Sequence, residues 1–234
     1  MKSSMMKMVS LGLCLSLSAT VAACGGAGDP KGAAAPTGTT SGSVKVTLDL
    51  PSTGNPKYDK FFGDVGDLAQ LVADARASLE SAPATLNKAM NVTGTTDFDT
   101  ALKTLSGKLK GKVTVSINVT PAGADVSVVP VAGVTLSADE QAMVDAYKKV
   151  VGDIAGIPMK LEPVVAKAID IGKQAAVLVV SAKTDFTGMA GLRTLPSVVN
   201  GFGKVTTAVD GIKTDVPVIG DKAKTMMISA KGAF

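Results

Sequence analysis

The chain contains no histidine and no tryptophan, two cysteines, and only six Phe and two Tyr among its 234 residues. Without histidine there is no Ser-His-Asp or Cys-His catalytic set, no histidine-ligated zinc, and no use of the commonest general base. Scarce aromatics leave few ring faces for stacking, which weighs against nucleic acid and carbohydrate as ligands. The core must instead be built from Val, Leu, Ala, Ile and Met. Glu80, Glu140 and Glu162 are the only glutamates and lie far apart, so no glycosidase pair of carboxylates can be argued from them.

Other chemistry-bearing patterns fall short. Gly107-Lys108-Leu109-Lys110-Gly111-Lys112-Val113 has the look of a phosphate loop, but its glycines are too close and Val113 stands where a hydroxyl should bind Mg²⁺. A basic helix end is the simpler reading. Gly201-Phe202-Gly203 lacks the third glycine of a dinucleotide loop. Asp97-Phe98-Asp99 and the group Asp59, Asp64 and Asp67 match no calcium-loop spacing, and acids at a helix start are stabilised without any metal. No Ser-x-x-Lys occurs after residue 24. No cofactor or metal site is expected.

The first thirty residues carry the most specific signal. Lys2 and Lys7 precede an uncharged, apolar or small stretch from Val9 to Ala22. That order is a secretory leader, and the stretch is too short to span a bilayer. It ends in Val21-Ala22-Ala23-Cys24. This ending resembles the lipobox of bacterial lipoproteins, over residues 1–24 only. The resemblance implies cleavage before Cys24, diacylglycerol on its thiol, and a further acyl chain on the new amine. It implies a cell-envelope address: the outer membrane in a Gram-negative source, since Gly25 replaces the Asp that retains enteric lipoproteins at the inner membrane, or the outer face of the cell membrane in a Gram-positive one. Membrane lipid, held through acylated Cys24, is then the first partner. An envelope protein is a possible second. Cys14 leaves with the leader, so the mature chain has no free thiol and no disulfide.

Lys2 and Lys7 leave with the leader too, and the remaining 22 basic residues exceed the 20 acidic ones by about two charges. Both signs are interspersed, so no nucleic-acid partner is expected. Residues 25–43 are Gly, Ala, Thr, Ser and Pro with only Asp29 and Lys31 charged, the composition of a flexible tether. Its root-mean-square span is roughly 25 Å.

From residue 44 the periodicity is that of an α+β domain, predominantly helical. Val44, Val46, Leu48 and Leu50 alternate with polar residues and predict a strand. Phe61, Val65, Leu68, Val72, Ala75 and Leu79 predict a helix that Pro83 breaks, with a short helical piece continuing to Met90. Thr95-Thr96-Asp97 offers an N-cap for a second helix through Leu109. Val113 to Pro130 alternates around Pro121-Ala122-Gly123-Ala124 and predicts an antiparallel hairpin within 112–130. The strand at 44–50 is the expected third member of its sheet. Ser137 and Glu140 have capping-box spacing before a helical stripe, and Pro158 can start a new helix. The apolar stretch 161–183 is broken by Lys167, Asp170 and Lys173, so it reads as a buried helix and not a membrane span. Lys183-Thr184-Asp185 and Lys213-Thr214-Asp215 both read as junctions between helices.

The expected organisation is therefore a cleaved leader at 1–23, a lipidated cysteine and tether at 24–43, and one mainly helical envelope domain at 44–234. That domain is a bundle or set of helical hairpins with a small sheet of about three strands. The expected role is a non-enzymatic structural or interaction module. The alternative is a lipid-binding or membrane-active helical protein.

Overall fold

Three long helices and a small sheet account for nearly all of the structure. The computed structural model describes residues 45–94, 96–120 and 123–234. Cys24, the leader and the tether lie outside these residues. In chain order the elements are α1 (Pro56–Ala89), α2 (Phe98–Leu109), β1 (Val113–Thr120), β2 (Gly123–Pro130), α3 (Ala138–Asp185) and α4 (Gly188–Lys231). This is the predominantly helical α+β fold that the periodicity predicts.

Each start has a local cause. Pro56 occupies the first turn of α1, and Asn55 accepts a hydrogen bond from the Lys57 N–H. Asp97 caps α2 through the Thr100 N–H at 2.9 Å. Ser137 and Glu140 form the full capping box of α3. Every residue of the predicted α1 stripe is buried.

α3 has 48 residues, so it is about 72 Å long at 1.5 Å per residue. It returns through Phe186 and Thr187 into α4, which runs antiparallel to it. α1 lies against both. It begins where α3 ends, with Lys57 bonded to Asp185 at 2.9 Å, and runs parallel to α4, with Arg76 paired to Asp215 at 2.6 Å. Ridges of Val, Leu, Ile and Ala from all three helices form one continuous buried cluster. α2 and the hairpin close the opposite end. There Lys112 pairs with Glu140, Lys108 donates to the Met90 carbonyl at 3.1 Å, and Tyr147 donates to the Ala230 carbonyl at 2.9 Å.

Four expectations need correction. α1 continues through Pro83, because Leu86 and Met90 extend its buried stripe beyond the proline. The lost backbone bond and ring clash cost about 3 kcal/mol, which burial of these two large side chains offsets. Likewise α3 runs unbroken through Pro158 and Pro163. No junction exists at 213–215: Ile212, Val216 and Ile219 stay buried on one face while Lys213 and Thr214 face solvent. Finally, among the described residues the segment expected as a third strand pairs with nothing in a ladder, and the sheet has two strands. Residues 45–50 do alternate, with Val46, Leu48 and Leu50 half-buried. Their backbone partners are helix side chains instead. The Val46 N–H donates to Gln70 Oε1 at 2.8 Å, and Lys204 Nζ donates to the Asp49 carbonyl at 2.8 Å. Asp49 itself has φ of 45°, a left-handed conformation that interrupts a strand.

Candidate functional site

Five of the eight aromatic residues meet at one end of the bundle. Tyr58, Phe61 and Phe62 of α1 meet Phe186 after α3 and Phe202 of α4. Ring centroids lie 5.0 Å apart for Tyr58 and Phe186 and 5.4 Å apart for Phe62 and Phe202. The close approach of α1 to α4 depends on Gly201. A Cβ there would fall 2.7 Å from Pro51 Cδ and 2.9 Å from Phe62 Cζ.

A small polar group sits on this aromatic cluster. The Tyr58 hydroxyl donates to Asp185 Oδ2 at 2.8 Å, and Lys57 Nζ donates to the same oxygen at 2.9 Å. The Lys57 bond, then the Tyr58 bond, hold the Asp185 carboxyl below its usual range. Burial, then the Asp185 bond, pushes the Tyr58 phenol well above its ordinary value. A tyrosine kept protonated, donating to a carboxylate kept ionised, is a buttress between α1 and α3 and not a general base.

Beside it, between α1 and α3, is a groove of about 470 Å³. Phe61, Val177 and Leu178 supply its apolar lining, and Lys57, Lys60 and Lys173 its cations. Each cation is paired: Lys57 with Asp185, Lys60 with Asp64 at 2.6 Å, and Lys173 with Asp170 at 3.6 Å. The groove therefore offers an apolar surface within a neutralised rim, suited to aliphatic groups better than to a free anion. The same end of the bundle exposes large aliphatic side chains. Val177 is 66% exposed, Val180 69%, Met189 82% and Leu192 63%.

The other acids singled out in the sequence are occupied locally. Asp97 is a cap, and its bonds from Thr100 lower its pKa. Asp59 accepts from the Thr53 N–H at 2.6 Å and from its hydroxyl at 2.9 Å. Asp64 is paired with Lys60, so Asp59, Asp64 and Asp67 do not converge. Among the described residues no group of three His, Cys, Asp or Glu side chains is placed to hold a metal. The basic stretch 107–113 ends α2, as its charge predicts, with Gly111 left-handed at φ 71°. Phe234 packs edge-on against Tyr147, with centroids 5.2 Å apart. The Tyr58–Asp185 contact was not foreseeable, since 127 positions separate the two residues.

The titration pattern makes a prediction. Asp49, Asp97, Glu140 and Asp185 all have pKa values lowered by their partners. The unfolded chain therefore binds more protons than the folded one as pH falls, so their stabilisation is present above the ordinary carboxylate range of about 4 and is lost below it. Burial pushes the Tyr147 phenol up to about 12, and its stabilisation is lost as pH rises through that value. The sequence has no histidine, the side chain whose charge change would fall near pH 6.5. Thermal melts should show a plateau from about pH 5 to about pH 9, falling on both sides. A step near pH 6.5 would contradict this.

No protein-family model, curated protein or solved structure matches the chain. No described helix is long and apolar enough to cross a membrane.

Proposed function

We propose that this is a lipid-anchored bacterial cell-envelope protein whose helical bundle is a structural or interaction module. The observation that carries the reading is Val21-Ala22-Ala23-Cys24 at the end of a basic and apolar leader. Acyl chains on Cys24 hold the protein at a membrane. The absence of histidine from the sequence supports a role without acid–base catalysis. Feeding cells an alkyne-bearing fatty acid tests the anchor. The label should appear on a peptide beginning at Cys24 and vanish in Cys24→Ala. A native chain that takes up no label would defeat the reading.

One observation favours a second reading, in which the bundle itself contacts lipid. Val177, Val180, Met189 and Leu192 are exposed at the end where α3 turns into α4. Each would contribute roughly 1 to 2 kcal/mol on partial insertion. The chain from residue 24, carrying Cys24→Ala, should sediment with phosphatidylethanolamine–phosphatidylglycerol vesicles. The added pair Val180→Asp and Leu192→Asp should reduce the bound fraction about tenfold, since 1.4 kcal/mol suffices for that. Equal sedimentation of both chains, or of neither, removes the second reading and leaves the anchor untouched.

A further inference from the structure

The β-hairpin has one outer edge with none of the usual protection. The Val131 N–H donates to the Lys112 carbonyl at 2.9 Å, and the antiparallel register pairs Val113 with Pro130 and Val115 with Val128. Hydrogen-bonded pairs alternate along such a ladder. Thr114, Ser116 and Asn118 therefore turn their backbone groups inward to β2. Val113, Val115, Ile117 and Val119 turn theirs to the outer edge of β1. Among the described residues, no ladder partner lies along that edge. β2 is treated differently: it packs against α3, and Pro130 removes one donor from its outer edge.

Natural edge strands carry lysine, proline or a bulge that blocks further pairing. β1 reads Val-Thr-Val-Ser-Ile-Asn-Val-Thr over eight residues, with no charge, no proline and no glycine. Val119 is 47% exposed, and Val115 and Ile117 are half-buried. A two-stranded sheet is marginal by itself.

We propose that β1 pairs with β1 of a second copy of this chain, antiparallel about a two-fold axis at Ser116, to give a four-stranded sheet. The sequence is self-complementary in that register. Val113 faces Val119 of the second copy, and Val115 faces its Ile117, so every outward backbone group meets another. On the polar face Thr114 meets Asn118, and Ser116 meets Ser116. Moving the axis by half a residue would set apolar residues against polar ones across the sheet. Moving it to Ile117 would leave Val113 without a partner. The absence of charge means that no like pair opposes the contact, and the two-fold axis makes the interface closed.

Ser116 is exposed and would stand in a non-hydrogen-bonded pair across the axis, where side chains are closest. That makes a charge test decisive. The buried cluster is formed by residues from Tyr58 to Ala230, so the chain from residue 24, carrying Cys24→Ala, retains the whole core. Sedimentation velocity over a concentration series should show this chain in monomer–dimer equilibrium. Ser116→Asp and Ser116→Lys should each weaken the dimer about tenfold or more, because like charges then face each other. An equal mixture of the two variants should restore it. In the native chain the amide protons of Val115, Ile117 and Val119 should exchange more slowly as concentration rises. In Ser116→Asp they should not. A native chain that stays monomeric throughout overturns the proposal. So does a dimer that either single variant leaves intact, or one that the mixture fails to restore, because the contact would then lie elsewhere.

Discussion

Replacing Phe202 with alanine should destabilise the bundle by about 3 to 5 kcal/mol, the usual cost of emptying a buried aromatic site. Phe202 is 5% exposed, and its ring lies 5.7 Å from Phe61, 5.4 Å from Phe62 and 6.2 Å from Tyr58. It is the point at which α4 holds α1. Few neighbours can move in to fill the gap, since Gly201 already brings the α4 backbone against Phe62 and Pro51. A domain of this size has a total stability of roughly 5 to 15 kcal/mol, so the loss is a large share of it. The melting temperature should fall by about ten degrees, at 2 to 4 °C per kcal/mol for a chain of 150 to 250 residues. Phe202→Leu keeps most of the volume and should lose about a third as much. A fall of only a degree or two in Phe202→Ala would mean that the aromatic end melts separately from the rest of the core.

Cys24→Ala should have the larger effect, on location. A single acyl chain gives only marginal membrane binding, whereas two or three chains give lasting attachment, each buried methylene contributing about 0.8 kcal/mol. Removing the thiol removes the diacylglycerol site, and with no cleavage before residue 24 the amine that takes the further chain is not formed. The variant should leave the membrane fraction, apart from whatever weak contact the end of the bundle makes, and its leader should remain uncleaved before residue 24. Membrane fractionation and the size of the chain on a gel read both outcomes. A variant still cut at that bond and still held by membranes would show that Cys24 is an ordinary residue after a leader.

Much of the fold was legible because its signals are local. The capping box at Ser137 and Glu140, the α1 stripe, the Asp97 cap and the 113–130 hairpin each depend on residues within a few turns of one another. Three of the four corrections share one cause. Pro83, Pro158 and the Lys-Thr-Asp group at 213–215 are local breakers, and each was given more weight than the apolar stripe running past it. Tertiary burial decided otherwise in all three cases. The two Lys-Thr-Asp groups show the distinction. After Asp185 comes Gly188 with φ of 77°, and the chain turns. After Asp215 come Val216 and Ile219, which continue the buried face, and it does not.

Residues 44–50 failed for a different reason. Their alternation correctly described which side chains face the core, but alternation reports burial and not the ladder partner. A helix surface can supply the buried side as well as a sheet can. The candidate sites divide along the same line. Cys24 is proposed from the leader alone, which is read in one dimension and lies outside the described residues. The aromatic end is not legible in that way, since Tyr58, Asp185 and Phe202 are brought together only by the return of α3 into α4. The free edge of β1 lies between these cases. Its composition was plain in the sequence, but its exposure followed only when the expected third strand was found elsewhere.

The central claim is that this chain lives at a membrane through Cys24. The most direct measurement is the intact mass of the protein extracted from its native membranes. The prediction is a chain that begins at Cys24 and carries the added mass of a diacylglycerol group, with or without an acyl chain on the amine. A chain that begins elsewhere, or one that begins at Cys24 with the bare thiol, would contradict it.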